Sequence, residues 1–363
     1  MKYSEEYRDR ELVHKLSRQI QELTSGPATL MEVCGTHTMA VARFGLKSLL
    51  PPQLRLVSGP GCPVCVTAQE DIDAFLALGS RPQAMLATFG DMVRVPGSTT
   101  SLERERARGV QVRVVYAPLD AVTLARENPQ KEVIFFGVGF ETTMPATALA
   151  VKVAAAEGLK NFSILSVHKT MPAALQVLLG SGEVKVSGLL LPGHVTTIIG
   201  PEAFSFIPQK FHISCAVTGF EPVDVLLGVY AIVRQLADNR AVVDNVYIRA
   251  VKTPANPRAQ ALLAEVFRPE DATWRGLGVI PGSGAGLREE FARFDARQRC
   301  AELLARVPPA KPSACRCGEV LRGTLPARDC PQFDQTCTPS QPLGPCMVSS
   351  EGACAAAYKY ERE

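Results

Sequence analysis

The stretch LRLVSGPGCPVCVTAQEDIDAFLAL (54–78) decides the fold. Residues 54–57 are a short apolar run, 58–61 carry the Gly and Pro of a turn, and 68–78 have helical spacing. The same order of strand, turn and helix recurs along the chain. Strands are predicted over 29–33, 54–57, 84–88, 112–116, 133–138, 162–167, 189–191 and 213–217. Helices fit between them at 68–78, 146–157, 172–179 and 223–236. Continuous apolar strands alternating with helices indicate α/β architecture, with parallel sheets covered on both faces.

Four strands on each side of residue 130 predict two Rossmann-like domains with a cleft between them, 28–130 and 131–250. Residues 1–27 are amphipathic, with Leu12, Leu16, Ile20 and Leu23 on one face, and are expected to pack on the C-terminal region. Residues 251–363 are expected to be helical and Cys-rich, and Gly282–Gly286 is taken as a flexible turn, since it lacks the Lys-Ser/Thr of a phosphate-binding loop. A formal charge of +3 gives no argument for nucleic acid, and no apolar run has the length of a membrane span. The first residues are charged throughout with no apolar signal core, so a cytoplasmic protein is expected.

Six of the eleven cysteines lie in the last fifty residues, spaced Cys315-x-Cys317-x12-Cys330-x6-Cys337-x8-Cys346-x7-Cys354. The segment is rich in Pro and has little apolar periodicity, so sulfur must supply its cross-links. Disulfides, zinc and an iron–sulfur cluster compete for this role. A reducing compartment argues against disulfides, and no paired C-x2-C suggests zinc here. The pattern favours a 4Fe–4S cluster, with two cysteines left over for a redox pair.

The polar residues fall just after the predicted strands, where open α/β sheets bind ligands. Cys34-Gly-Thr-His37 follows the first strand. There, a helix start would lower the thiol pKa and favour a soft metal, while a buried packing cysteine is the competing reading. Cys62-Pro-Val-Cys65 stands at a strand-to-helix junction, the setting of dithiol redox chemistry. Asp91 is a candidate proton acceptor or helix cap, Glu141 a ligand contact or cap, and His194 a turn residue facing the cleft. His168 is a weaker candidate, and Cys215 and Cys300 read as core cysteines.

Together, MEVCGTHT (31–38), SGPGCPVCVT (58–67), FETT (140–143), PGHV (192–195) and the tail CRCGEVLRG…DC…CTP…GPCMVSSEGAC (315–354) resemble the HypD family of NiFe-hydrogenase maturation proteins. The resemblance spans almost the whole chain. It implies two α/β domains and a third region holding a 4Fe–4S cluster. It also implies a complex with the small chaperone HypC, on which the Fe(CN)2CO group is assembled for the hydrogenase large subunit, with cyanide supplied by HypF and HypE. By the same resemblance Cys34 is the expected iron ligand, His37, Asp91 and His194 line the assembly site, and Cys62 with Cys65 is the redox dithiol. Cys315, Cys330, Cys337 and Cys354 are assigned to the cluster, with Cys317 and Cys346 as the neighbouring redox pair. Two other functions stay open: a free-standing iron–sulfur thiol–disulfide oxidoreductase, and a zinc-stabilised scaffold without catalysis.

Overall fold

The computed structural model describes residues 5–362. The strands are β1 (Ala28–Glu32), β2 (Leu54–Ser58), β3 (Ala84–Thr88), β4 (Gln111–Val114), β5 (Glu132–Gly137) and β6 (Phe162–Ser166). After them come β7 (Gly188–Pro192), β8 (Ser214–Thr218), β9 (Val243–Asn245), β10 (Phe267–Trp274) and β11 (Gly278–Leu287). All eight predicted strands form, and they build two parallel sheets of Rossmann type with a Cys-rich region after them.

The strands are grouped differently from the expected four and four. One sheet has the order β2-β1-β7-β8-β9 and the other β4-β3-β5-β6. The chain leaves the first sheet after β2, completes the whole second sheet, and returns at β7. The division at residue 130 is therefore replaced by an insertion. Apolar periodicity shows that a strand is buried on both faces, but it does not say which strand lies beside it. Leu30 is in register with Gly188, a pairing that no local pattern encodes.

Two further expectations change. The N-terminal helix Arg10–Leu23, capped by the Asp9 carboxylate accepting from the Leu12 N–H (2.9 Å), does not rest on the C-terminal region. It buries Leu16 and Ile20 against helix Pro222–Ala237, in one apolar cluster with Leu226 and Val229. The region after 251 is also not simply helical: β10 and β11 form an antiparallel hairpin. The Gly-rich run 282–286 lies inside β11, paired with β10, rather than in a flexible turn. A Cβ on Gly286 would stand 2.2 Å from the Glu270 carboxylate. Trp274 is fully buried, donates from Nε1 to Ser283 Oγ (2.8 Å) and stacks on Phe140. Bridges from Trp274 to Thr67 and from Gly284 to Lys169 make the hairpin a strap across the two α/β units. No helix among the described residues is long and apolar enough to cross a membrane.

Candidate active site

In the first sheet the chain runs from β1 outward to β2 and from β7 outward to β8, so the order reverses between β1 and β7. In open α/β sheets such a switch point, at the carboxyl ends of the strands, is the crevice where ligands bind. Cys34, two residues beyond β1, is the N-cap of helix Gly35–Arg43, and His194 opens helix Gly193–Ile199 just beyond β7. The Cys34 sulfur lies 3.8 Å from His194 Nδ1 and 4.0 Å from Nε2. The loop before Cys62 presses directly on this turn: Gly35 N–H donates to Gly61 C=O (2.9 Å), and a Cβ on Gly61 would meet Cys34 N at 2.0 Å. Only glycine permits that approach.

Burial pushes the Cys34 thiol well above its ordinary value, and the Glu351 and Glu32 carboxyls add to the effect. The N–H groups of His37 and Thr36 pull the other way and lose. The helix start therefore does not make Cys34 thiolate-rich, because desolvation outweighs the N–H groups at its first turn. Glu32 lies beneath the turn, accepting from Thr38 Oγ1 (2.5 Å) and Cys34 N–H (3.1 Å), and burial raises its carboxyl to about 8.

His37 and His194 flank Phe220, each ring 5.0 Å from it. Burial, then His194, lowers His37 to about 3, and burial lowers His194 to about 4, so both imidazoles are neutral, the form that binds metals. His37 is fully buried with Nε2 at 2.9 Å from Gly219 C=O, so it stands behind His194 rather than on the crevice surface.

Cys62 and Cys65 are joined in a disulfide, with Cys62 capping the turn Pro63–Val66 through Cys65 N–H (3.1 Å). Asp91, just beyond β3, reaches the tail: its Oδ2 accepts from Ser349 Oγ (3.3 Å), Ser350 N–H (2.8 Å) and Ser350 Oγ (2.8 Å). Ser349 Oγ also lies 3.3 Å from the Cys62 sulfur, and Thr36 donates to Glu351 Oε1 (2.5 Å). The loop Ser349–Glu351 thus joins the CGTH turn, the CPVC turn and Asp91. An open groove of about 560 Å³ runs beside it, lined by Pro63, Asp91, Tyr116, Thr142, Thr143 and Ser350. This groove lies at the switch point of the second sheet, between β3 and β5.

Glu141 has a structural place apart from this groove. Its buried carboxyl accepts from Met171 N–H (2.9 Å) at the start of helix Met171–Gly180, and burial raises it to about 7. His168 is likewise a core residue, held by Ser166 Oγ and Thr147 Oγ1. Sequence reading missed Ser349, Glu351 and Phe220. For the first two the only signal was the polar SSEG run set between Cys346 and Cys354.

In the tail, Cys315, Cys317, Cys330, Cys337 and Cys354 line one small pocket closed by Val320, Phe333, Leu343 and Met347. Interaction with Cys315 and Cys346 holds the Cys317 thiol low and pushes those two partners up, and Cys354 adds to the rise at Cys346. Among the described residues no three His, Cys, Asp or Glu side chains already stand in metal-holding geometry. The donor set is nonetheless that of soft metals: five thiols, no carboxylate and no imidazole around an apolar pocket, which fits an iron–sulfur cluster.

A sequence profile described as "HypD: Hydrogenase formation hypA family" matches residues 11–361. A "Hydrogenase maturation factor HypD" of Rhizobium leguminosarum bv. viciae is 46% identical, covering 100% of this chain and 96% of that protein. The "Hydrogenase maturation factor HypD" of Escherichia coli (strain K12) is 43% identical, covering 100% of this chain and 99% of its own length. A "Hydrogenase expression/formation protein HupD" of Azotobacter chroococcum mcd 1 is 44% identical over 100% of this chain and 98% of that protein. The chain belongs to the HypD family of hydrogenase maturation factors.

Proposed function

We propose that this chain, with the small chaperone HypC, is the scaffold on which the Fe(CN)2CO group of NiFe-hydrogenase is assembled. Cyanide comes from HypE, charged by HypF, and the product passes to the hydrogenase large subunit. The observation that carries this reading is the meeting of Cys34 and His194 in a buried crevice, tied through one tail loop to the Cys62–Cys65 disulfide. Cys34 supplies a thiolate to the incoming iron, and the second sulfur ligand comes from HypC. Iron binding offsets the burial that keeps the free thiol protonated, so the Cys34 proton leaves as iron enters. His194 faces the metal, His37 and Phe220 fix its ring, and Asp91 sits at the groove by which a cyanide donor approaches.

Cys315, Cys330, Cys337 and Cys354 would hold a 4Fe–4S cluster, which supplies single electrons when bound. Cys317, which also lines that pocket, with its neighbour Cys346, and Cys62 with Cys65 are two thiol pairs able to store two electrons each. Metal analysis of anaerobically purified protein tests the tail: about four irons with matching sulfide support the reading, and one zinc supports a structural scaffold instead. The disulfide favours one second reading, a free-standing thiol–disulfide oxidoreductase. Disulfide-reductase turnover without HypC that survives Cys34→Ala would establish it.

A further inference from the structure

Ser349 ties the tail loop to Cys62 but has no chemical role in the scaffold reading, yet it occupies a singular position. It is 1% exposed, and its Oγ touches the Cys62 sulfur (3.3 Å) on one side and Asp91 Oδ2 (3.3 Å) on the other. Glu351 N–H donates to the same Oγ (3.2 Å), which leaves the hydroxyl hydrogen free to point at Asp91. Asp91 is fixed by both donors of Ser350 and borders the open groove. The three residues come from three distant segments and form a continuous row: sulfur, hydroxyl, carboxylate.

A dithiol at 62 and 65 has a difficulty that this row resolves. Cys62 is 3% exposed and Cys65 fully buried, so a bare thiolate there is costly and no bulk water takes its proton. We propose that Ser349 is a positioning residue that carries the Cys62 proton to Asp91 while the dithiol reacts. The proposal rests on the redox reading of Cys62 and Cys65. In the step, the Cys62 S–H bond breaks as its sulfur attacks one sulfur of an acceptor disulfide. The proton passes to Ser349 Oγ, whose own proton passes to Asp91 Oδ2. The acceptor S–S bond breaks, and its leaving thiolate takes a proton from water at the groove or from Asp91. Cys65 then attacks Cys62 in the mixed disulfide, its proton leaving with the second acceptor thiol. Two electrons move from the dithiol to the acceptor, giving one disulfide and two thiols. The ionisable groups facing this row are Asp91, Glu351 and Cys65. Cys317, Cys346 and Arg275 lie on the segments packed against Pro63–Val66.

The test uses the full chain, reduced anaerobically with dithiothreitol and freed of it, then mixed with hydroxyethyl disulfide. Formation of the Cys62–Cys65 bond is followed by peptide-resolved mass spectrometry between about pH 6 and pH 10. With the relay, the wild-type rate stays nearly flat around neutrality. Ser349→Ala and Asp91→Asn are roughly tenfold or more slower there, rise in proportion to hydroxide, and converge with wild type at about the intrinsic thiol pKa and above. Ser349→Thr retains the wild-type profile. A Ser349→Ala rate equal to wild type, or one slowed by the same factor at every pH, overturns the relay. A disulfide that excess dithiothreitol leaves intact overturns the redox reading and the relay with it.

Discussion

The sulfur of Cys34 and the imidazole of His194 stand 3.8 Å apart across 160 residues of sequence, at the single place where the order of the first sheet reverses. The insertion of the whole second sheet between β2 and β7 is what brings them together. It makes β1 and β7 neighbours, so the turns that follow them meet at their carboxyl ends.

His194→Ala is expected to leave the fold intact, because among the described residues the ring makes no hydrogen bond beyond the sulfur contact and touches Phe220 only as a neighbour. The iron retained by the complex with HypC should fall by about 10–100-fold in affinity. Iron titration of the purified complex checks this, and unchanged retention would remove His194 from the metal site.

Glu141 predicts a pH dependence with a definite sign. Its carboxyl sits at about 7 in the folded protein against 4.5 unperturbed, so the folded state binds the extra proton between those values. The stability this contributes is fully present below 4.5 and is lost as pH rises through about 7. Glu141→Gln has no such loss, so its stability relative to wild type should rise by up to about 3 kcal/mol across that window. Thermal melts of both proteins at matched pH check it; a constant difference would place the Glu141 proton elsewhere. His37 and His168 titrate with the opposite sign below 6.5, and the comparison with wild type cancels them.

Gly61→Ala forces a methyl against the Cys34 backbone and is expected to destabilise by about 1–3 kcal/mol, with loss of iron loading at Cys34. Gly26→Ala, which has nothing within 4 Å of the added Cβ, is the control and should melt like wild type.

Ile20→Ala tests where the N-terminal helix rests. The side chain is fully buried against helix Pro222–Ala237, so its loss should cost about 2–5 kcal/mol locally. Hydrogen exchange should rise in that helix and stay unchanged in the tail 315–354. The reverse pattern would mean that the N-terminal helix rests on the tail.

Eight of the nine strands of the two sheets were legible because each is an apolar run followed by turn residues, and the candidate residues were legible because they follow those runs; β9, only Val243–Asn245, is too short and polar to show such a run. Strand partners were not, since Leu30 facing Gly188 follows from chain topology rather than local pattern. The β10–β11 hairpin was missed because its glycines read as a loop, although Gly284 and Gly286 pair with Glu270 and Arg268 in the antiparallel ladder. Cys34, Cys62, Cys65 and His194 were singled out by their motifs, and Asp91 by its place just after a strand. Glu141 has a motif too, but its carboxyl is occupied by the Met171 N–H, an interaction visible only after folding. Ser349 and Glu351 acquire their places through contacts such as Thr36 to Glu351, 315 residues apart.

The central claim is that iron is assembled on Cys34. Anaerobic infrared spectroscopy of the chain co-purified with HypC reads it directly, because carbon monoxide and cyanide stretches fall in an otherwise empty spectral window. If Cys34 anchors the iron, Cys34→Ala abolishes those bands while visible absorption from a cluster in the tail persists. Bands that survive the substitution would contradict it.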